Sequence, residues 1–160
     1  MPDMDKKLPF YAGGLRFSCK RCSQCCRHES GFVFLSENDV IRMAGAMKIG
    51  CEEFTLIYCR WVPQVNCVAQ LSLKEKSNMD CILWTRSAGT GGEGGCSVYE
   101  SRPLQCRSFP FWPSMLNSVD SWKAAAKDCP GMGRGDLHSS NAILEWIAMR
   151  QNEPIISRKV

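Results

Sequence analysis

The chain has no run of about 18 apolar residues, the length that crosses a bilayer. Its start, Met1-Pro2-Asp3-Met4-Asp5-Lys6-Lys7 and then Leu8-Pro9-Phe10-Tyr11, holds no apolar core of the kind that drives export. The expectation is a cytoplasmic protein without a membrane partner, in a reducing compartment where structural disulfides are rare. A dense basic block is missing too. The net charge of +4 is spread from Lys6, Lys7, Lys20, Arg21 and Arg27 to Arg102, Arg107, Arg158 and Lys159, so nucleic acid is not an expected partner. No internal repeat or long low-complexity tract is present, which excludes a solenoid. Also absent are a glycine fingerprint after a strand, an HExxH and a nucleophile elbow. The glycine-rich stretch Ser87–Gly95 lacks the Lys-Ser/Thr ending of a phosphate loop and reads as a connector.

What the chain does have is cysteine. Among 160 residues, eleven are Cys and five are Trp, while 44% apolar and 22% charged residues are ordinary for a globular protein. The length suits one domain, taken as residues 1–160. An odd number of cysteines cannot pair completely within the chain, which argues against a disulfide scaffold.

The clearest helix starts at Ser36 as N-cap, with Glu37 and Asp39 in the first turn and Val40, Met43, Ala44 and Met47 on one stripe; Gly50 is placed to end it. A second helical pattern carries Phe54, Ile57, Tyr58 and Trp61 on one face, with Pro63 as its stop. Val65, Cys67, Ala69, Leu71 and Leu73 alternate with Asn66, Val68, Gln70 and Ser72 as a strand, for which Cys81–Trp84 looks like a partner. Another short strand is expected at Cys96–Tyr99. Ser101-Arg102-Pro103 begins a helical turn, and a last helix is expected from Asp136 or Ser139 to about Arg150. Helices and short strands without strict alternation predict an α+β domain with a small antiparallel sheet.

The run Cys19-Lys20-Arg21-Cys22-Ser23-Gln24-Cys25-Cys26 is the strongest feature. A lone cysteine is commonly a small buried hydrophobe. Four crowded thiols gain nothing in packing and invite oxidation, whereas thiolates suit zinc, cuprous ion and iron–sulfur clusters. On a helix turning about 100° per residue, Cys19, Cys22 and Cys26 would fall within about 60° of one another and Cys25 off that face. A four-thiolate site then needs a ligand from Cys81, Cys96, Cys106 or Cys129. Arg102 and Arg107 would keep nearby thiols ionised, and Phe109, Phe111 and Trp112 would supply a dry wall. His28 follows the run directly; such a histidine can be a ligand but more often faces solvent or supports a ligand from outside, and it is left out of the metal set.

Taken together, C-x2-C-x2-C-C at Cys19–Cys26, C-x-V-Y-E-x-R-P-x-x-C-R-x-F-P-F at Cys96–Phe111 and C-P-G at Cys129–Gly131 resemble the YkgJ-type cysteine-cluster family, a zinc- or iron-chelating domain. The likeness runs from Gly14-Leu15-Arg16-Phe17 to about Gly133 and includes Lys74–Cys81. It implies that Cys19, Cys22, Cys25, Cys26, Cys81, Cys96, Cys106 and Cys129 are the metal thiols. Cys51, Cys59 and Cys67 lie outside the motif and read as packing residues, Cys67 being the likeliest exception because its strand could lie beside Cys81. Eight thiols would fill two four-coordinate sites, or one cluster with spare positions. The spacing leans to an iron–sulfur cluster, since zinc ribbons bring two separated C-x2-C hooks, although the adjacent Cys26 departs from ferredoxin spacing.

Three functional readings follow: a metal-binding protein chelating zinc or iron, a metal-dependent enzyme, and a zinc-dependent interaction module with a protein partner. The enzyme reading rests on a larger flagellin lysine methylase that resembles this family in its cysteine cluster, which makes modification of a protein side chain conceivable. Likeness of fold or motif is weak warrant for a reaction.

Overall fold

Ser36 caps a helix as its sequence predicts. In the computed structural model, which describes residues 8–88 and 93–160, helix α1 spans Glu37–Met47. The Ser36 hydroxyl accepts from the Asp39 N–H, and the Asp39 carboxylate accepts from the Ser36 N–H, so two otherwise orphaned donors are satisfied reciprocally. The helix ends at Lys48 in the left-handed conformation; Gly50 instead caps the start of α2, Cys51–Tyr58. Trp61 and Pro63 do not extend that helix. They lie in strand β2, Cys59–Gln64, which is the edge of a three-stranded antiparallel sheet ordered β2-β3-β7, with β3 at Val68–Leu73 and β7 at Ser157–Lys159. A proline is tolerated on an edge strand because its missing N–H can face away from the ladder.

The expected long strand is shorter at its start. Asn66 and Cys67 have φ of 62° and 54°, the signature of a primed hairpin turn, so Cys67 sits in the turn between β2 and β3. The partners of β3 are β2 and β7 rather than the Cys81–Trp84 run. Cys81 instead bridges Glu75, and Trp84–Thr85, strand β4, pairs with Gly95–Cys96, strand β5, opposing Trp84 to Cys96. The expected Cys96–Tyr99 strand therefore stops at Cys96 and gives way to a 3-10 turn at Tyr99–Ser101. Pro103 then caps α3, Leu104–Ser108. The connector reading of the glycine-rich stretch falls partly outside the described residues, at 89–92.

Three further elements carried no sequence expectation or replaced one, and the last helix forms as expected from the Ser139 start. Strand β1, Leu15–Phe17, pairs antiparallel with β6, Met132–His138; the latter occupies Asp136, where a helix start was expected. Helix α4, Val119–Ala126, is capped by the Ser118 hydroxyl, which accepts from the Ser121 N–H. Helix α5 runs Ser140–Asn152. Helices with small antiparallel sheets make the fold α+β.

The chain divides into two compact units, residues 1–20 with 110–148, and residues 21–109 with 149–160. In the first, Phe111 stacks on Trp122 at 6.2 Å between centroids and meets Phe17 edge-on and His138 at 4.9 Å. In the second, Leu35, Val40, Met43, Ala44, Phe54, Leu71, Leu73, Leu83 and Val98 form the core. Burying each of the larger of these side chains stabilises by about 1.5–3 kcal/mol. Among the described residues, no helix is long and apolar enough to cross a membrane.

Candidate metal centre

The cysteine run is not an α-helix. Arg21, Ser23 and His28 have φ of 54°, 63° and 76°, left-handed values that break a right-handed screw. Only Gln24–Cys26 forms a 3-10 turn, closed by the Cys26 N–H donating to the Ser23 carbonyl at 2.9 Å. The helical face of Cys19, Cys22 and Cys26 is thus replaced by a coiled segment that aims Cys25 and Cys26 the same way, their sulfurs 3.8 Å apart.

Three other segments of the second unit come to this pair. The Cys81 N–H donates to the Cys26 carbonyl at 2.7 Å. Cys96 is delivered by the β4–β5 ladder, and Cys106 by the half-buried middle of α3. Of these five thiols, only Cys25 and Cys26 are in sulfur contact, and those of Cys26, Cys81, Cys96 and Cys106 feel the charge of others in the set. Contact with Cys26 holds the Cys25 thiol down at about 7, against burial and with help from its own backbone N–H and Arg102. Cys26 is pushed up by Cys25 and by burial, then by Cys106 and Cys81. Burial raises Cys81 to about 11, with Cys96 and Cys25 adding to it. Cys106 is raised by burial and then by Cys25, Cys81 and Cys96; burial likewise raises Cys96. Thiols that repel each other's ionisation gain most from a shared cation.

Arg102 acts in the expected direction on Cys25, Cys96 and Cys106, but burial outweighs it at Cys96 and Cys106, whose thiols are raised. Arg107 serves the packing instead. Its Nε donates to the Arg102 carbonyl at 3.1 Å, and burial followed by Arg42 lowers its own pKa.

The remaining motif thiols are distributed differently. Cys22 is exposed, directly before Ser23. Cys19 and Cys129 belong to the first unit, Cys19 just past β1 and Cys129 just before β6. There the Ser18 N–H donates to the Gly131 carbonyl at 3.3 Å, and a Cβ on Gly131 would run into the Ser18 carbonyl. That close approach explains the glycine of C-P-G. Of the non-motif cysteines, Cys59 is buried with its pKa pushed up to about 12 by burial, as an inert packing thiol should be, while Cys51 and Cys67 are exposed.

Two tethers around the thiols were not read from the sequence. Arg27 lies over the Trp84 ring, 4.0 Å from its centroid, and its Nε donates to Asp80 Oδ1 at 3.1 Å; the Asp80 side chain is only 4% exposed. Arg21 and Arg102 both stack on Tyr99, at 3.8 and 3.7 Å from its centroid. The spacing Tyr99-Glu100-Ser101-Arg102 carried a signal for the second tether, because a three-residue step in a tight turn brings such a pair together.

The donor set fits a soft cation. Two thiolates on one tetrahedral ion with metal–sulfur bonds of about 2.3 Å stand about 3.8 Å apart, the separation of Cys25 and Cys26. Among the described residues, no three His, Cys, Asp or Glu side chains stand close enough to hold an ion as placed.

Residues 18–130 match the model of the CxxCxxCC family, described as a "putative zinc- or iron-chelating domain". The chain belongs to this family. A curated relative is the uncharacterized protein MJ0661 of Methanocaldococcus jannaschii, 24% identical over 139 residues that cover 82% of this chain and 68% of the relative. No solved structure gives a significant match.

Proposed function

We propose that this CxxCxxCC protein is a cytoplasmic metal chelator that holds zinc or iron through Cys22, Cys25, Cys26, Cys81, Cys96 and Cys106, with Cys19 and Cys129 completing the motif set. The observation that supports the reading is the backbone arrangement of the thiols: Cys25 and Cys26 in sulfur contact at 3.8 Å, the Cys81 N–H donating to the Cys26 carbonyl at 2.7 Å, and Cys96 opposed to Trp84, whose N–H donates to the Cys81 carbonyl. Random burial of small hydrophobic cysteines would not set two thiols in contact with a third bonded to them through the backbone.

Between the two metals, the C-x2-C-x2-C spacing supports iron, as an iron–sulfur cluster. The test is elemental and sulfide analysis of protein purified without oxygen, with its visible spectrum. A brown protein with acid-labile sulfide that bleaches on reduction supports the cluster. Colourless protein holding stoichiometric zinc and no sulfide transfers the same ligands to zinc. Protein without either metal refutes chelation.

A further inference from the structure

Trp84 touches every cysteine-bearing strand or loop around the thiol group except the helix that carries Cys106. Its indole Nε1–H donates at 3.1 Å to the hydroxyl of Ser23, which stands between Cys22 and Cys25. Its ring face carries the Arg27 guanidinium, directly after Cys26. Arg27 in turn binds Asp80, directly before Cys81. Its backbone N–H donates to the Cys81 carbonyl at 2.9 Å, and its backbone opposes Cys96 in the β4–β5 ladder. The side chain is buried, at 6% exposure, and a Cβ on Gly94 would collide with the ring, so the glycine before β5 is what admits it.

A buried tryptophan with this much contact could be packing alone. Packing does not explain its polar end. The indole N–H could have met any carbonyl nearby, yet it reaches a left-handed serine, at φ 63°, in the middle of the cysteine run. Left-handed backbone is costly for a serine and persists where surrounding contacts hold it. The bond also fixes the turn that aims Cys25 and Cys26 together.

We propose that Trp84 is the positioning residue of the thiol site: it sets the relative placement of the Cys22–Cys26, Cys81 and Cys96 segments, through Ser23 on one side and Arg27–Asp80 on the other, and so governs how tightly metal is retained. The assignment rests on the chelation reading above and adds a residue that is not itself a ligand. Outer partners of metal ligands act in this way by fixing the orientation of the donor atoms.

The test uses the full chain, purified anaerobically with its metal, and follows the rate at which excess chromophoric chelator removes that metal. Trp84→Phe keeps an aromatic face for Arg27 and deletes the N–H; Ser23→Ala deletes the acceptor and leaves Trp84 in place. Trp61→Phe is the control, a tryptophan of the same unit whose ring carries Arg158 at 4.2 Å. Release should quicken about 10–100-fold in Trp84→Phe and about 2–10-fold in Ser23→Ala. Trp61→Phe should lower the urea midpoint and leave release at the wild-type rate. If Trp84→Phe does not fold, Ser23→Ala carries the test. Metal-loaded wild type with unchanged release in the foldable variants, or equal acceleration by Trp61→Phe, overturns the positioning role alone. Metal-free wild type overturns the chelation reading instead.

Discussion

The Cys81 N–H donates to the Cys26 carbonyl at 2.7 Å, which joins the end of the cysteine run to a thiol 55 residues further along the chain. This bond needs no metal and places two donors side by side by backbone alone. Serine at Cys25, Cys26, Cys81, Cys96 or Cys106 should therefore reduce metal content while the backbone frame persists, because a neutral hydroxyl is a poor ligand for a soft cation. Serine at Cys51 or Cys67, both exposed, should leave the metal content at the wild-type value. Metal analysis of the purified variants checks the division, and equal loss in both groups would contradict it.

Removing the metal should loosen the site and spare the core. The buried core of the second unit is built from Leu35, Met43, Phe54, Leu71, Leu83 and Cys59, the last outside the motif, while the motif residues Cys81 and Cys96 pack against it only from its partly buried margin. Chelator should accordingly change far-UV circular dichroism little. Amide exchange should rise at residues 22–27, 81–85 and 95–97. Collapse of the whole far-UV spectrum on chelation would show that metal supplies the folding energy of the unit, as it does in zinc fingers.

Asp39 holds the second unit together where the start of α1 meets the start of α3. Its side chain is fully buried and accepts from the Ser36 N–H, from Arg42 at 2.6 Å and from the Leu104 N–H at 2.7 Å. Asp39→Ala should cost about 3–5 kcal/mol, since it leaves Arg42 and two buried N–H groups without their partner. Urea unfolding measures this, and a loss below about 1 kcal/mol would contradict the role.

Glu75 should give the protein an acid limb. The Gly31 N–H, then, after the opposing effect of burial, Ser30 and Arg60, hold its carboxyl below the usual range. A carboxylate depressed in the folded state contributes stability that is present above its unfolded value, about 4.3, and is lost as pH falls through the folded value. Glu75→Gln should flatten the decline of stability below about pH 4.5. An acid limb of the same steepness in the variant would assign it elsewhere, Asp80 being the next candidate because it is lowered, despite burial, by Arg27 and Asn78.

The parts of the fold legible in the sequence were those written locally. Ser36 with Asp39 three residues on is a complete capping signal, and α1 forms where it predicts. The α2 pattern misled beyond Tyr58 because Trp61 satisfies a helical spacing, while the sheet partner Val68–Leu73 decides its conformation. Strand β1, with three residues, and the glycine-bearing β6 have too little pattern to announce themselves, and each exists through the other. The same holds at the site. Crowding singled out the run Cys19–Cys26, but its conformation was not legible, because Arg21, Ser23 and His28 are left-handed without being glycine. Trp84 was read only as an apolar residue, since its bond to Ser23 spans 61 positions.

Cys25 offers the most direct test of the central claim that these thiols hold a metal. It is exposed and its thiol lies at about 7, so without a cation it should be the fastest of the motif thiols to alkylate at neutral pH. Anaerobic protein should be treated with a mass-tagged alkylating reagent before and after chelation, and each cysteine followed by peptide mapping. The account predicts that Cys51 and Cys67 label at once in both samples, while Cys25 is protected until the chelator removes the metal. Immediate labelling of Cys25 in protein as purified, unchanged by chelator, would contradict it.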